Sequence, residues 1–205
     1  MSEYLKKKYN VETPTITIVG AGALGSHLVL IGRNWAVYTD IIDFDRVETK
    51  NIQSQFHTSM GQGKNKAVAI QAAMRGLFRQ HTKAVSGKLA ITNQAELLGK
   101  SDLIVDCTDN YATRRLIQDY CAAPGAADCI HGCLSADGTF ARFVWTEQFE
   151  PDEEDEEGAA TCEDGRNLPF HIQAAALGAQ IIQMYLDDGV KQSWQITPYS
   201  VVRLT

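Results

Sequence analysis

The chain has 205 residues, 44% of them hydrophobic and 21% charged, the make-up of one globular domain. A chain of this length buries roughly 70% of the surface it exposes when unfolded, so its core needs neither disulfides nor a structural metal. Acids outnumber bases 25 to 19, but Asp152, Glu153, Glu154, Asp155, Glu156 and Glu157 are consecutive, and without them the two counts are equal. A neutral body with one local acidic run lacks the basic surface that binding a phosphate backbone requires, so no nucleic-acid partner is expected.

No apolar stretch reaches the ~18 residues of a membrane span, and the Lys-rich first ten residues lack the apolar centre of a signal peptide. A cytoplasmic protein without membrane contact is the expectation. Five cysteines, an odd number with no C-x-x-C pair, indicate free thiols, and no structural zinc is predicted.

In chain order, the β-branched run at 15–19 stops at Gly20-Ala-Gly-Ala-Leu-Gly25, after which Leu24, Leu28 and Ile31 recur at helical spacing. A second apolar run, 35–42, ends on Asp43. Together these make a strand–helix–strand unit, the building block of parallel sheets. Ala67, Ile70, Met74 and Leu77 mark one face of a helix over 64–79, followed by a strand over 83–90. The strand at 103–105 ends in Asp106-Cys-Thr-Asp-Asn110, from which a helix over 111–121 can start before Pro124-Gly125 stops it.

Beyond Pro124 the pattern changes. Residues 129–134 and 139–145 flank Ser135-Ala-Asp-Gly138 and read as an antiparallel hairpin. The segment 148–167 carries the acidic run, has no periodicity and reads as a flexible crossover loop. Residues 170–186 are apolar on nearly every side, with Ala174, Ala175, Ala176 and Gly178 permitting close approach, so a buried helix is expected, with edge strands over 193–204. The fold class is α/β: one Rossmann-like domain over 1–205, three layers α/β/α, its mostly parallel sheet extended by antiparallel strands.

Gly20-x-Gly22-x-x-Gly25 between a strand and a helix supplies a tight turn, bare backbone for a phosphate and close helix-to-strand packing. The helix N-terminus adds unpaired N–H groups and partial positive charge. Asp43, eighteen residues after Gly25, stands where an acidic side chain accepts ribose hydroxyls. To this point the pattern fits NAD and ATP equally.

The series that follows is more specific: Asp43-Phe-Asp45-Arg-Val47, Asn51-Ile-Gln-Ser-Gln55, Gly63-Lys64-Asn65-Lys66-Ala67, and Asp106-Cys-Thr-Asp109-Asn110. It resembles the adenylating domain of the ubiquitin-activating-enzyme superfamily, the ThiF/MoeB/HesA group that includes the bacterial sulfur-carrier activators, over about 15–186. The resemblance implies ATP-dependent adenylation of the C-terminal carboxylate of a small ubiquitin-like or sulfur-carrier protein, with Mg2+, by a homodimer. It places Gly20, Gly22 and Gly25 at the phosphates, and Asp43, with Asp45 beside it, at the ribose. It assigns Asn51 and Gln55 to the nucleotide, Lys66 to the phosphates with Lys64 as the alternative, and Asp109 to magnesium. The chemistry agrees, because displacement at phosphorus needs cations and N–H donors around the phosphate oxygens. Asp106 is a partner of that loop or a helix cap.

Departures from the pattern set the alternatives. Ser54 stands where the family has Arg, and Lys50 is the candidate substitute. The basic N-terminal residue that reaches a partner's ATP in the family is Arg, whereas this N-terminus offers Lys6, Lys7 and Lys8. A non-catalytic, partner-binding member of the family is therefore the second reading, and an NAD-dependent oxidoreductase the third. Cys162 falls in the crossover loop, where some relatives carry a cysteine that forms a thioester or persulfide, although Glu163 and Asp164 beside it disfavour the thiolate. Cys129, His131 and Cys133 alternate onto one face of their strand, a composition that suits metal but reads as buried packing.

Overall fold

The structure, a computed structural model, describes residues 2–135, 137–151 and 165–205. The acidic run at 152–157 and Cys162 lie outside the described residues. One eight-stranded sheet runs in the order β3-β2-β1-β4-β5-β6-β7-β8. Its strands are β1 (Thr15–Val19), β2 (Tyr38–Asp43), β3 (Lys83–Ser86), β4 (Leu103–Asp106), β5 (Asp128–Leu134), β6 (Ala141–Trp145), β7 (Ser193–Thr197) and β8 (Ser200–Leu204). Pairing is parallel from β3 through β5 and antiparallel from β5 through β8. The expected class, a parallel sheet extended by antiparallel strands with helices on both faces, is what forms.

Alternation along the strands divides the core. Ile16, Ile18, Leu103, Val105 and Ile130 point to one face, where α2 (Ala23–Ile31), α3 (Lys66–Phe78) and α6 (Leu168–Asp188) cover them. Val19, Ile104 and Cys129 point to the other, under Leu98 of α4 (Gln94–Leu98) and Ile117 of α5 (Tyr111–Cys121). The small residues expected to admit close neighbours on α6 do so: a Cβ on Gly178 would meet the Phe143 ring at 2.2 Å.

Two elements differ from the periodicity reading. The strand expected over 83–90 stops at Ser86, because β2 ends at its partner Asp43 and offers no further ladder; Leu89 instead drops into the core. The Lys-rich N-terminus folds as α1 (Glu3–Tyr9), docked on α6 through Leu5, which is wholly buried, with the Ser2 N–H donating to Asp187 Oδ1 at 2.9 Å. Lys8 there bonds Asp128, and Lys6 pairs with Glu3 at 3.3 Å. Among the described residues no helix is long and apolar enough to cross a membrane.

Candidate functional site

The sheet order puts β1 between β2 and β4, with the register pairing Val19 to Ile42 on one side and to Asp106 on the other. The three strands run parallel, but the order of strands reverses here, β2 being added on one side of β1 and β4 on the other, so the carboxyl ends of β1 and β4 open a crevice, the place where sheets of this kind receive ligands. The glycine turn lies over it. Gly20 has φ +92°, and a Cβ there would meet the Cys107 carbonyl oxygen at 2.7 Å, so only glycine lets the turn lie against the β4 loop. A Cβ on Gly25 would meet the Gly20 carbonyl oxygen at 1.9 Å, which brings the helix tight onto the strand.

Gly22 is different: nothing lies within 4 Å of where its Cβ would be. It caps α2 without any side-chain hydrogen bond, and the first backbone bond runs from the Ser26 N–H to the Gly22 carbonyl at 3.0 Å. The N–H groups ahead of Ser26 therefore have no intrahelical acceptor, and the turn is open at Gly22.

Asp43 closes the turn from below. Its Oδ2 accepts the Ala21 N–H at 2.6 Å and its Oδ1 the Asp45 N–H at 2.7 Å. Burial raises its pKa above the usual carboxylate value, against the opposing pull of those two N–H groups and of Lys66. Asp45 keeps a half-exposed carboxylate, and Lys66 Nζ donates to its Oδ2 at 3.1 Å. Lys66 opens α3. Its own N–H donates to the Asp45 carbonyl at 2.8 Å, while the preceding Asn65 caps the helix and donates to the Asp43 carbonyl at 2.7 Å. The Lys66 side chain is only 11% exposed, whereas Lys64 is an exposed surface residue.

The 51–57 segment covers the turn from the α2 side, held by the Phe56 N–H on Ser26 Oγ at 2.9 Å. Asn51 is buried, and its carboxamide oxygen accepts the Glu48 N–H at 2.8 Å in a reciprocal cap, which leaves its NH2 to offer a ligand. Among the described residues, Gln55 Oε1 and Ser54 Oγ are buried without hydrogen-bond partners. Ser54 is wholly enclosed. Lys50 lies on the surface, 3.5 Å from Glu48.

Sequence reasoning did not single out His57. It is 7% exposed, and its Nε2 meets the Ala21 carbonyl at 3.0 Å. Burial, with Lys66 and His27 adding to it, pushes its pKa down to about 4 against the Ala21 bond. Only its position two residues beyond Gln55 could have flagged it.

On the β4 side, Asp106 is neither exposed nor a helix cap. Its Oδ1 accepts the Thr108 N–H at 2.9 Å and the Thr108 hydroxyl at 2.7 Å, and its Oδ2 meets His131 Nδ1 at 2.8 Å. Asn110 caps α5, accepting the Thr113 N–H at 3.0 Å. Between them Asp109 is exposed. Of the Cys129, His131, Cys133 face, Cys129 and His131 are buried, with His131 stacked on Phe149 and its Nε2 3.1 Å from Thr146 Oγ1. A groove of about 450 Å3, lined by Arg115, Cys121, Asp128 and Thr146 among others, opens at the opposite, amino end of β5, away from the glycine turn.

The structure thus gathers Gly20, Gly22, Gly25, Asp43, Asp45 and Lys66 around one turn, brings Asn51 and Gln55 over it, and sets Asp109 on the neighbouring loop. A profile of the ThiF family matches residues 5–187. The chain belongs to the ThiF family. Among relatives of this ThiF-family chain, the SAMP-activating enzyme E1 of Haloferax volcanii is 32% identical over 152 residues, 66% of this chain and 55% of the relative. The sulfur carrier protein adenylyltransferase of Thermus thermophilus is 30% identical over 135 residues, 63% of this chain and 49% of the relative. The chain thus spans about half the length of these curated relatives. The fold is shared with E. coli MccB crystallised with MccA-N7isoAsn, with a TM-score of 0.76 at 16% identity over 98% of this chain and 66% of MccB. Homologues of this ThiF-family chain are adenylyltransferases of the ThiF/MoeB type.

Proposed function

We propose that the chain binds ATP in the crevice between β1 and β4 and transfers its adenylyl group to the C-terminal carboxylate of a small ubiquitin-like or sulfur-carrier protein. A carboxylate oxygen forms a bond to the α-phosphorus, and the bond to pyrophosphate breaks. The observation that carries this reading is the bare Gly22 at an uncapped helix N-terminus, with the Lys66 ammonium one ion pair away on Asp45.

The residues divide the work by their chemistry. N–H groups ahead of Ser26 hold phosphate oxygens, and they need no rearrangement to do so because their backbone is already fixed from both sides of the turn. Lys66 neutralises charge that develops on the phosphates, exchanging its bond to Asp45 for one to a phosphate oxygen. With both Asp43 oxygens occupied by backbone N–H groups, the half-exposed Asp45 is the better ribose acceptor of the two. Gln55 Oε1 is a buried polar atom that a nucleotide would satisfy, and the Asn51 NH2, whose oxygen is committed to the Glu48 N–H, is a donor for the same ligand.

Magnesium suits the exposed carboxylate of Asp109, since it takes one or two carboxylates and fills its shell with phosphate oxygens and water. Bound there, it would supply positive charge to the leaving pyrophosphate. Homodimerisation remains part of the proposal. Lys8 is bonded to Asp128 of its own chain, so the N-terminal segment is docked rather than extended.

Ser54 favours a second reading, a non-catalytic family member that retains nucleotide binding. The side chain is wholly enclosed, and Lys50 is turned to the surface near Glu48. Titration with Mg-ATP and with NAD, followed by carboxylate-dependent exchange of pyrophosphate into ATP, separates the readings. ATP binding with exchange supports the enzyme, binding without exchange across a panel of carrier C-terminal peptides supports the partner, and NAD binding alone overturns both.

A further inference from the structure

The peptides on both sides of Ala21 are held. In the Gly20–Ala21 peptide the Ala21 N–H is fixed by Asp43 Oδ2 at 2.6 Å; in the Ala21–Gly22 peptide the Ala21 carbonyl meets His57 Nε2 at 3.0 Å. A carbonyl oxygen can only accept, so His57 must carry its hydrogen on Nε2. Burial and the neighbouring Lys66 keep the ring neutral, which leaves Nδ1 bare, and among the described residues Nδ1 has no partner. His57 is thus a buried side chain whose one hydrogen bond goes to the glycine turn.

The peptide is trans, so the Gly22 N–H points opposite to the Ala21 carbonyl. Holding the carbonyl toward His57 turns that N–H to the other side. Gly22 is also the one glycine of the turn whose missing side chain would meet no atom. We infer that His57 is a positioning residue of the phosphate loop, its Nε2–H fixing the plane of the Ala21–Gly22 peptide so that the Gly22 N–H faces the anionic part of the ligand. The inference rests on the nucleotide reading for the identity of that ligand, and on the hydrogen bonds alone for the orientation. A peptide free to rotate would present its carbonyl oxygen to a phosphate in part of its conformations, which repels the anion; the imidazole removes those conformations.

The test uses His57→Leu, which fills the volume without a donor, and His57→Gln, whose carboxamide nitrogen can replace Nε2–H. Affinities for ATP, adenosine and inorganic tripolyphosphate are measured by calorimetry, and the Gly22 amide resonance is followed by NMR as tripolyphosphate is added. His57→Leu is expected to weaken ATP and tripolyphosphate by about ten- to a hundredfold, the loss of one hydrogen bond to a charged group, while adenosine binds as before and His57→Gln recovers most of the loss. Equal weakening of adenosine, or unchanged ATP affinity in His57→Leu, overturns the inference, as does a wild-type Gly22 amide that tripolyphosphate does not shift. Should His57→Leu fail to fold, the imidazole tautomer read by 15N NMR in the wild type decides: hydrogen on Nδ1 overturns it. Wild-type protein that binds tripolyphosphate at Gly22 but not ATP supports the positioning role and removes the nucleotide reading alone.

Discussion

Two glycines of one motif should respond to the same substitution in opposite ways. In Gly25→Ala the new methyl would lie 1.9 Å from the Gly20 carbonyl oxygen, a backbone atom that cannot swing aside, so the helix and turn must separate by about an ångström. Overpacking of that severity costs about 3 kcal/mol or more, which in a chain of this size lowers Tm by about 6–12 °C. In Gly22→Ala the methyl enters open space at an extended backbone (φ −81°). The gain from a stiffer unfolded chain, about 0.4–1 kcal/mol, offsets a cap that alanine fills less well, so Tm should stay within about 2–4 °C of wild type. The cost falls on the ligand instead. A methyl over the helix N-terminus holds a phosphate away from at least one N–H, and losing one such charge-assisted bond, worth about 1.5–3 kcal/mol, weakens ATP roughly ten- to 150-fold. Differential scanning calorimetry and isothermal titration on the two variants check this directly. A Gly22→Ala protein that binds ATP as tightly as wild type, or a Gly25→Ala protein as stable as wild type, refutes the reasoning.

Lys66→Ala should lower stability by less than about 1 kcal/mol, because its partner Asp45 is half exposed, while ATP affinity falls at least about tenfold and adenosine binding is unchanged; equal loss of both ligands in titration would contradict a phosphate role. Asp109→Asn should leave Tm unchanged, since the side chain is exposed, yet abolish the strengthening of ATP binding by Mg2+, and a magnesium dependence equal to wild type would remove Asp109 as the ligand. Stability should also depend on pH through His57. Its pKa in the fold is about 4 against 6.5 for the free side chain, so between these values the unfolded chain binds more protons than the native one. Stability is therefore full above about pH 6.5, falls as pH drops toward about 4 by up to about 3 kcal/mol, and levels off below. Urea denaturation across this window, compared with His57→Gln, should show a shallower slope in the variant.

The strands, the glycine turn and the long helix α6 were legible because each carries its own pattern: a short apolar run at 103–105, helical spacing from Leu24 to Ile31, and a stretch apolar on nearly every side at 170–186. The helix α1 was not, because one apolar anchor, Leu5, sits among lysines and glutamate and gives no pattern until α6 is there to receive it. β3 was overrun because sequence shows the strand but not where its partner ends. Within the site, residue types were readable but directions were not. Nothing in Asp43-Phe-Asp45 says that the first carboxylate turns inward to two backbone N–H groups while the second stays partly open, and nothing in Lys64-Asn-Lys66 says which lysine the helix cap directs inward. His57 was invisible for the same reason: its hydrogen bond to Ala21 spans 36 positions of the chain.

Asp106 gives the loop beside it an unusual rigidity. One carboxylate oxygen grips Thr108 twice and the other reaches His131 on the next strand, all at 1% exposure or less for the two ionisable partners, while the Arg114 guanidinium ties back to the Thr108 carbonyl at 2.8 Å. Asp109 therefore projects from a stem that is clamped before any cation arrives. A cation captured there would surrender little chain entropy, so its affinity would be set by charge and dehydration, and loosening the buried clamp should be felt first as a weaker ion rather than as a slower reaction.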